Sequence, residues 1–414
     1  MRTTLAAGAT ADLGGDIAAV AREHHAARPG DRPGRQPVHT VYVPADRVGA
    51  GTVGELGTWA LRLLARHAPD AGALAPATGV APELAAQVRE RLAAKLASEP
   101  VEDLRIDFED GYGTPDDRTE DGDAERTARA VAEMIADGTA PPFLGLRVKS
   151  FADGAHERAI RTLDGFVSTL LDAVGTLPDG FVVTFPKVVA AAHVAAFATV
   201  LERLEQALGL PDRALVFEVQ VETPASIIDR GGRVALPGFV DAAAGRMVGA
   251  HFGVFDYTAA CGLPASEQRP DHPACDAARH VMQVSLAGTG VRLSDGSTNR
   301  VPAGDGTAAV TAVWRHHAAL VRRSLAHGFF QGWDLHPAHL VSRFAAVYAF
   351  HLEHLDDTTG RLAARAAADG GGGVLDEPAT VRALRGSLRR AIDCGAIDEG
   401  RARTAARIDP ADPL

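Results

Sequence analysis

Residues 214–224 read ALVFEVQVETP, and the fold is decided here. Leu215, Phe217, Val219 and Val221 alternate with Glu218, Gln220 and Glu222, the period of two that sends successive side chains to opposite faces of a strand. The run ends on a carboxylate, which costs several kcal/mol to bury unless it is hydrated, paired or metal-bound. A second run, MVGAHFGVFD over 247–256, ends the same way on Asp256, and a third, LRIDFEDGYG over 104–113, delivers Asp107, Glu109 and Asp110. One such end is ordinarily a capped or solvated terminus. Three together point to a site, and paired carboxylates of this kind invite a hard cation.

Working outward, short apolar runs recur with helix-like segments between them, which implies βα units and a parallel sheet. Eight strands are expected, at 39–45, 104–111, 143–150, 180–188, 214–224, 246–257, 291–297 and 331–337. Between them lie segments with apolar residues at helical spacing, including 83–98, 123–137, 155–174, 190–208, 273–287 and 307–327. The expected fold is an α/β (β/α)8 TIM barrel, whose chemistry sits at the C-terminal strand ends. Glu109, Asp110, Arg147, Lys149, Lys187, Glu222, Asp256, Asp295 and His336 all fall at or near such ends. Glu218, Gln220 and Glu222 share one strand face, as do Asp107 and Glu109, so a polar ladder points into the barrel mouth.

A barrel domain of 37–369 leaves an N-terminal extension, 1–36, and a helical appendix, 370–414. Residues 12–28 form an amphipathic helix assigned to packing. A long helix over 338–368 is ended by Gly370–Gly373, and a second helical region, 379–408, carries Arg382, Arg385, Arg389 and Arg390 as a solvated face, a lid or a subunit contact.

A net charge of −11 provides no global positive field for nucleic acid or an anionic membrane, and 5% aromatic content disfavours a base-stacking surface. No stretch approaches the ~20 apolar residues of a membrane span. The first 36 residues lack the apolar core of a secretory signal, so a cytoplasmic protein is expected. Cys261, Cys275 and Cys394 are scattered without Cys-x-x-Cys spacing, against a disulfide framework or structural zinc.

With those ends placed, the chain resembles the superfamily of the citrate lyase beta subunit and the HpcH/HpaI aldolases, which includes the malyl-CoA lyases. The matching segments run in order over 39–350: VYVPA (41–45), IDFEDG (106–111), LRVK (146–149), FPKV (185–188), VETPASI (221–227), FGVFD (252–256), LSDG (293–296) and GWDLHPAHL (332–340). The resemblance implies a magnesium or manganese ion on Glu222 and Asp256, and making or breaking of a carbon–carbon bond beside a carbonyl. It also implies a homo-oligomer, trimeric or hexameric.

A 2-oxo acid offers two oxygens to one cation, and a polarised carbonyl is an electron sink that needs no Schiff base. Arg147 matches the family arginine that holds the enolate or carbonyl oxygen, with an ion pair to Glu109 or Asp110 as the structural alternative. Lys187 belongs to the site network, and Glu109 and Asp110 fit as partners of metal-bound water. Lys149, His336 and Asp295 are candidates for contact with substrate. Lys149 stands where much of the family has asparagine, which tilts the expected substrate toward a small free acid rather than a CoA thioester. The expected activity is a metal-dependent carbon–carbon lyase acting on a small 2-oxo or 3-hydroxy acid or its thioester. A malate-synthase-like condensation and a catalytically silent metabolite-binding barrel stand as the alternatives.

Overall fold

The computed structural model describes residues 3–6, 8–152, 154–366 and 377–409. Eight parallel strands, β1 (His39–Pro44), β2 (Asp103–Asp107), β3 (Phe143–Arg147), β4 (Phe181–Phe185), β5 (Val216–Val221), β6 (Met247–Phe252), β7 (Arg292–Ser294) and β8 (Gly332–Asp334), run in the order β7-β6-β5-β4-β3-β2-β1-β8. A single bridge between Ser294 and Gln331 joins the two ends. The chain is a (β/α)8 barrel, as expected, with helical additions at both ends.

Every strand stops short of the C-terminal end expected from sequence. The apolar pattern runs past the last ladder bond into turns, and the residues in those turns build the mouth. Outward strand residues and helix faces form the core; Phe185 lies flat against Phe197 at 4.3 Å, and Phe217 meets Phe197 edge-on at 5.3 Å. Each fully buried phenylalanine of this kind contributes about 2–3 kcal/mol.

The extensions differ from expectation. Helix Ala11–Ala27 buries none of its residues, and Leu13, Ile17 and Val20 on its apolar face are exposed. The packing expected of it is absent among the described residues, where residues 28–30 tether it at its end through Gly30 N–H donating to Gly288 O at 2.8 Å and Arg28 Nη1 donating to Ala287 O. The described part of 338–368 forms two helices, Pro337–Glu353 and Leu355–Ala366, interrupted at His354. Gly370–Gly373, and with it the 369/370 boundary, lies outside the described residues. The 379–408 region is likewise two helices, Pro378–Asp393 and Glu399–Ala406, separated by a turn in which Gly395 takes φ +84°. The first of these packs at the N-terminal end of the barrel, with Arg390 over the Phe330 ring at 3.9 Å, so it does not cover the mouth. Among the described residues no helix is long and apolar enough to cross a membrane.

Candidate active site

The barrel interior is a polar column. Arg105 on β2 contacts Asp103 at 2.7 Å and Glu218 at 3.2 Å; Glu218 meets His251 Nε2 at 2.7 Å, and Trp333 Nε1 donates to His251 Nδ1 at 2.6 Å. Above this column the C-terminal strand ends enclose a cavity of about 430 Å³, lined in part by Tyr42, Asp110, Arg147, Glu222, Asp256 and Trp333.

Arg147 ends β3 with a two-point grip on Asp107: Nε donates to Oδ1 at 2.6 Å and Nη2 to Oδ2 at 2.7 Å. Its Nη1 faces Glu109 at 3.1 Å and Gln220 at 3.4 Å, and the guanidinium lies 4.9 Å from the centre of the Tyr42 ring. Burial works against its charge, but Asp107 and Glu109 outweigh that and hold it charged well above the ordinary arginine value. Asp107 in turn caps the loop after β2, accepting from the N–H of Glu109 at 2.9 Å and of Gly111 at 3.0 Å.

Lys187 follows β4 in the left-handed region, at φ +49°, a conformation costing a non-glycine residue about 1 kcal/mol or more. That twist points its ammonium at Glu109 and, at 2.6 Å, at Asp110, while its backbone N–H donates to Glu222 Oε1 at 2.8 Å. Burial pushes Glu109 up to about 7, with Arg147 opposing and Asp110 adding to the rise. Asp110, half exposed, is held below the ordinary range: burial raises it, but hydrogen bonds with Glu109 and Lys187 prevail.

Glu222 is 1% exposed. Burial first, then the charges of Asp256 and Glu109, push its carboxyl up to about 8. Asp256 is raised as well, by burial and by Asp110, against Lys187. It lies not on β6 but in the first turn of helix Val254–Ala260. No direct ion pair to either carboxylate is seen among the described residues, although both sit at the same cavity. Gly253 makes room for the arrangement, since a Cβ there would lie 2.4 Å from Glu222 Cβ and 2.5 Å from its Oε2. Two acids kept close without a cation between them, in an oxygen-rich pocket, fit a hard divalent ion such as Mg²⁺.

The other sequence candidates lie elsewhere. Lys149 turns out of the barrel, donating to the carbonyls of Phe108 and Gly113, each at 2.8 Å, and pairing with buried Glu120 at 3.1 Å. Asp295 accepts from Arg279 Nε at 2.7 Å behind β7. His336 caps helix Pro337–Glu353, accepting from the N–H of Ala338 at 3.1 Å, and burial pushes it down to about 4. None of the three lines the mouth cavity. Tyr42 and Trp333, which do, were not singled out from sequence; period-two parity with Pro44 and Gln331 was the available signal. Among the described residues a buried trio, His317, Asp334 and His339, also brings potential ligand atoms within 4.8 Å of one another. Asp334 there already serves Arg343 at 2.9 Å, His39 at 2.8 Å and His317 at 3.2 Å, so its oxygens are committed to an ion cluster joining β8 to its helix.

Fold and site define a (β/α)8 barrel with a carboxylate-rich mouth. The chain belongs to the family DUF6986, described as a domain of unknown function, whose profile matches residues 17–412. No curated protein matches it. Among solved structures it is similar to malate synthase of Haloferax volcanii in a lead(II) complex, with 15% identity and a TM-score of 0.50 over 91% of this chain and 96% of that one. The native form of that enzyme at 3 mM glyoxylate gives 15% and 0.49 over 92% and 90%. Its pyruvate/acetyl-CoA ternary complex gives 14% and 0.48 over 91% and 98%. At such identities the likeness is one of fold.

Proposed function

We propose that this chain is a divalent-metal-dependent enzyme that joins the α-carbon of an acyl thioester such as acetyl-CoA to the oxo carbon of a small 2-oxo acid, with the thioester then hydrolysed to release the thiol, as a malate synthase does. The observation that carries the reading is the buried Glu222 carboxylate, set beside Asp256 with no ion pair among the described residues, at the C-terminal end of a barrel. The shared fold with an enzyme named malate synthase supports the condensing direction. Held by Glu222 and Asp256, a magnesium or manganese ion supplies Lewis-acid polarisation to the oxo acid. Arg147, locked by Asp107, presents a fixed positive charge to the oxygen on which negative charge develops. Glu109, pushed up to about 7, can take up or release a proton near neutral pH beside Asp110, which lines the cavity, while Lys187 contacts both carboxylates. Tyr42 and Trp333, with ring centres 4.9 Å apart, wall the cavity against water.

The test is thiol release from acetyl-CoA with glyoxylate, pyruvate or 2-oxobutyrate in the presence of Mg²⁺, expected to stop with EDTA. The citrate-lyase-like reading, cleavage of a 4-hydroxy-2-oxo acid or of malyl-CoA, rests on the ordered motifs; lyase activity without condensation would establish it instead. A bound metal with neither reaction, and no solvent-deuterium exchange into any 2-oxo acid, would leave a silent barrel.

A further inference from the structure

The barrel has a second opening. At the end opposite the mouth, the N-terminal ends of the strands surround a cavity of about 310 Å³. Its rim carries Arg32, Arg213 and Arg292, and Asp103, Arg105 and Glu218 lie deeper in its lining. Four arginines face Asp103 and Glu218, with Asp212 beside Arg213 at 3.6 Å, which still leaves a local positive excess on a chain of net charge −11.

Several features show this excess to be held in place. Arg292 is oriented by the carbonyls of Pro33 at 3.1 Å and Gly34 at 2.9 Å, and burial together with the charge of Arg32 holds its guanidinium below the ordinary value. Arg213 is kept at φ +60°, a conformation a non-glycine residue seldom adopts. Deeper in, Arg105 Nε and Asp103 Oδ1 have no hydrogen-bond partner although the residues are only 1% and 2% exposed. A buried donor and a buried acceptor on two residues already in contact, Arg105 Nη2 to Asp103 Oδ2 at 2.7 Å, match a hydroxyl group, which can both accept and donate. Crowded guanidinium groups match an anion.

We propose that this N-terminal opening binds a small hydroxylated anion, of the class of hydroxy-polycarboxylates or sugar phosphates, with its charge on Arg32, Arg213 and Arg292 and its hydroxyl between Asp103 and Arg105. The site shares no lining residue with the mouth cavity and does not depend on the reaction proposed there.

Calorimetric titration in EDTA at fixed ionic strength tests this with citrate and glycerol 3-phosphate, each against its hydroxyl-free counterpart, tricarballylate and propyl phosphate. One saturable site is expected, with the counterpart about tenfold weaker. Which of the two series binds tells carboxylate from phosphate. Arg32→Gln combined with Arg292→Gln should weaken binding about tenfold or more, and Glu222→Gln should leave it unchanged. Arg32 is exposed, so Arg32→Glu provides a second variant should the double one fail to fold. No saturable binding up to about 10 mM, equal binding of the hydroxyl-free compounds, undiminished binding in the arginine variants, or loss in Glu222→Gln would each overturn the proposal.

Discussion

The backbone N–H of Lys187 donates to Glu222 Oε1 at 2.8 Å while the Lys187 ammonium turns away to Glu109 and Asp110. One residue thus orients the buried acid without neutralising it. A lysine side chain paired directly with Glu222 would compete with a cation; a single amide dipole steers the carboxylate and leaves its charge available.

That charge carries a pH signature. The Glu222 carboxyl lies at about 8 in the fold against 4.5 ordinarily, so its contribution to stability is fully present below 4.5 and is lost as pH rises through about 8. The metal-free protein should therefore lose thermal stability between pH 5 and 9, by about a few degrees. Glu222→Gln should flatten that slope. Mg²⁺ should restore stability at the alkaline end, where the carboxylate is free to bind it, as calorimetric melts across pH will show.

Glu222→Ala and Asp256→Ala should each abolish Mg²⁺ or Mn²⁺ binding in a titration while the chain stays folded. Unchanged affinity in both would remove the metal from this mouth.

Arg147→Lys keeps a cation but loses the planar two-point grip on Asp107. Turnover should drop about 10²-fold or more, with metal affinity retained. A variant that unfolds instead would mark the pair as chiefly structural.

Gly253→Ala places a methyl group against Glu222. Metal affinity should fall sharply with little change in the circular dichroism spectrum, since the clash is local, with the Cβ and the carboxylate of Glu222.

Lys149→Met should lower the melting temperature, because Glu120 loses one of its buried cations at a cost of about 3 kcal/mol. KM should stay within a factor of about two, as no substrate contact is lost. A large change in KM would return Lys149 to the mouth. The preference for a free acid drawn from Lys149 falls away with its placement.

The strands and the acids at their ends were legible in sequence because alternation and burial leave a direct imprint on residue order. Arg147 and Lys149 show where that imprint fades. Two residues apart, they share a face only while the strand continues, and β3 stops at Arg147, so the chain turns and carries Lys149 into the helix layer. Asp295 lies one residue past β7 and faces Arg279; Asp256 reaches the cavity from a helix. Strand termination depends on ladder bonds with neighbours distant in sequence, which local pattern does not record. Tyr42 and Trp333 are illegible for a related reason: an aromatic residue in a short strand reads as core until barrel closure turns it inward.

The single bridge from Ser294 to Gln331 gives the barrel a seam. Three-residue β7 and β8 meet there with the Asp295 N–H to Gln331 carbonyl bond at 2.9 Å, and Gln36 stitches across it to Leu293 O at 3.1 Å and Gln331 Oε1 at 3.2 Å. Breathing of the cylinder will concentrate on this line, so amide deuteration should reach Asp295 long before the amides of β3 and β4. A stave barrel leaks at its worst joint, and Trp333 on β8 makes that joint one wall of the mouth cavity.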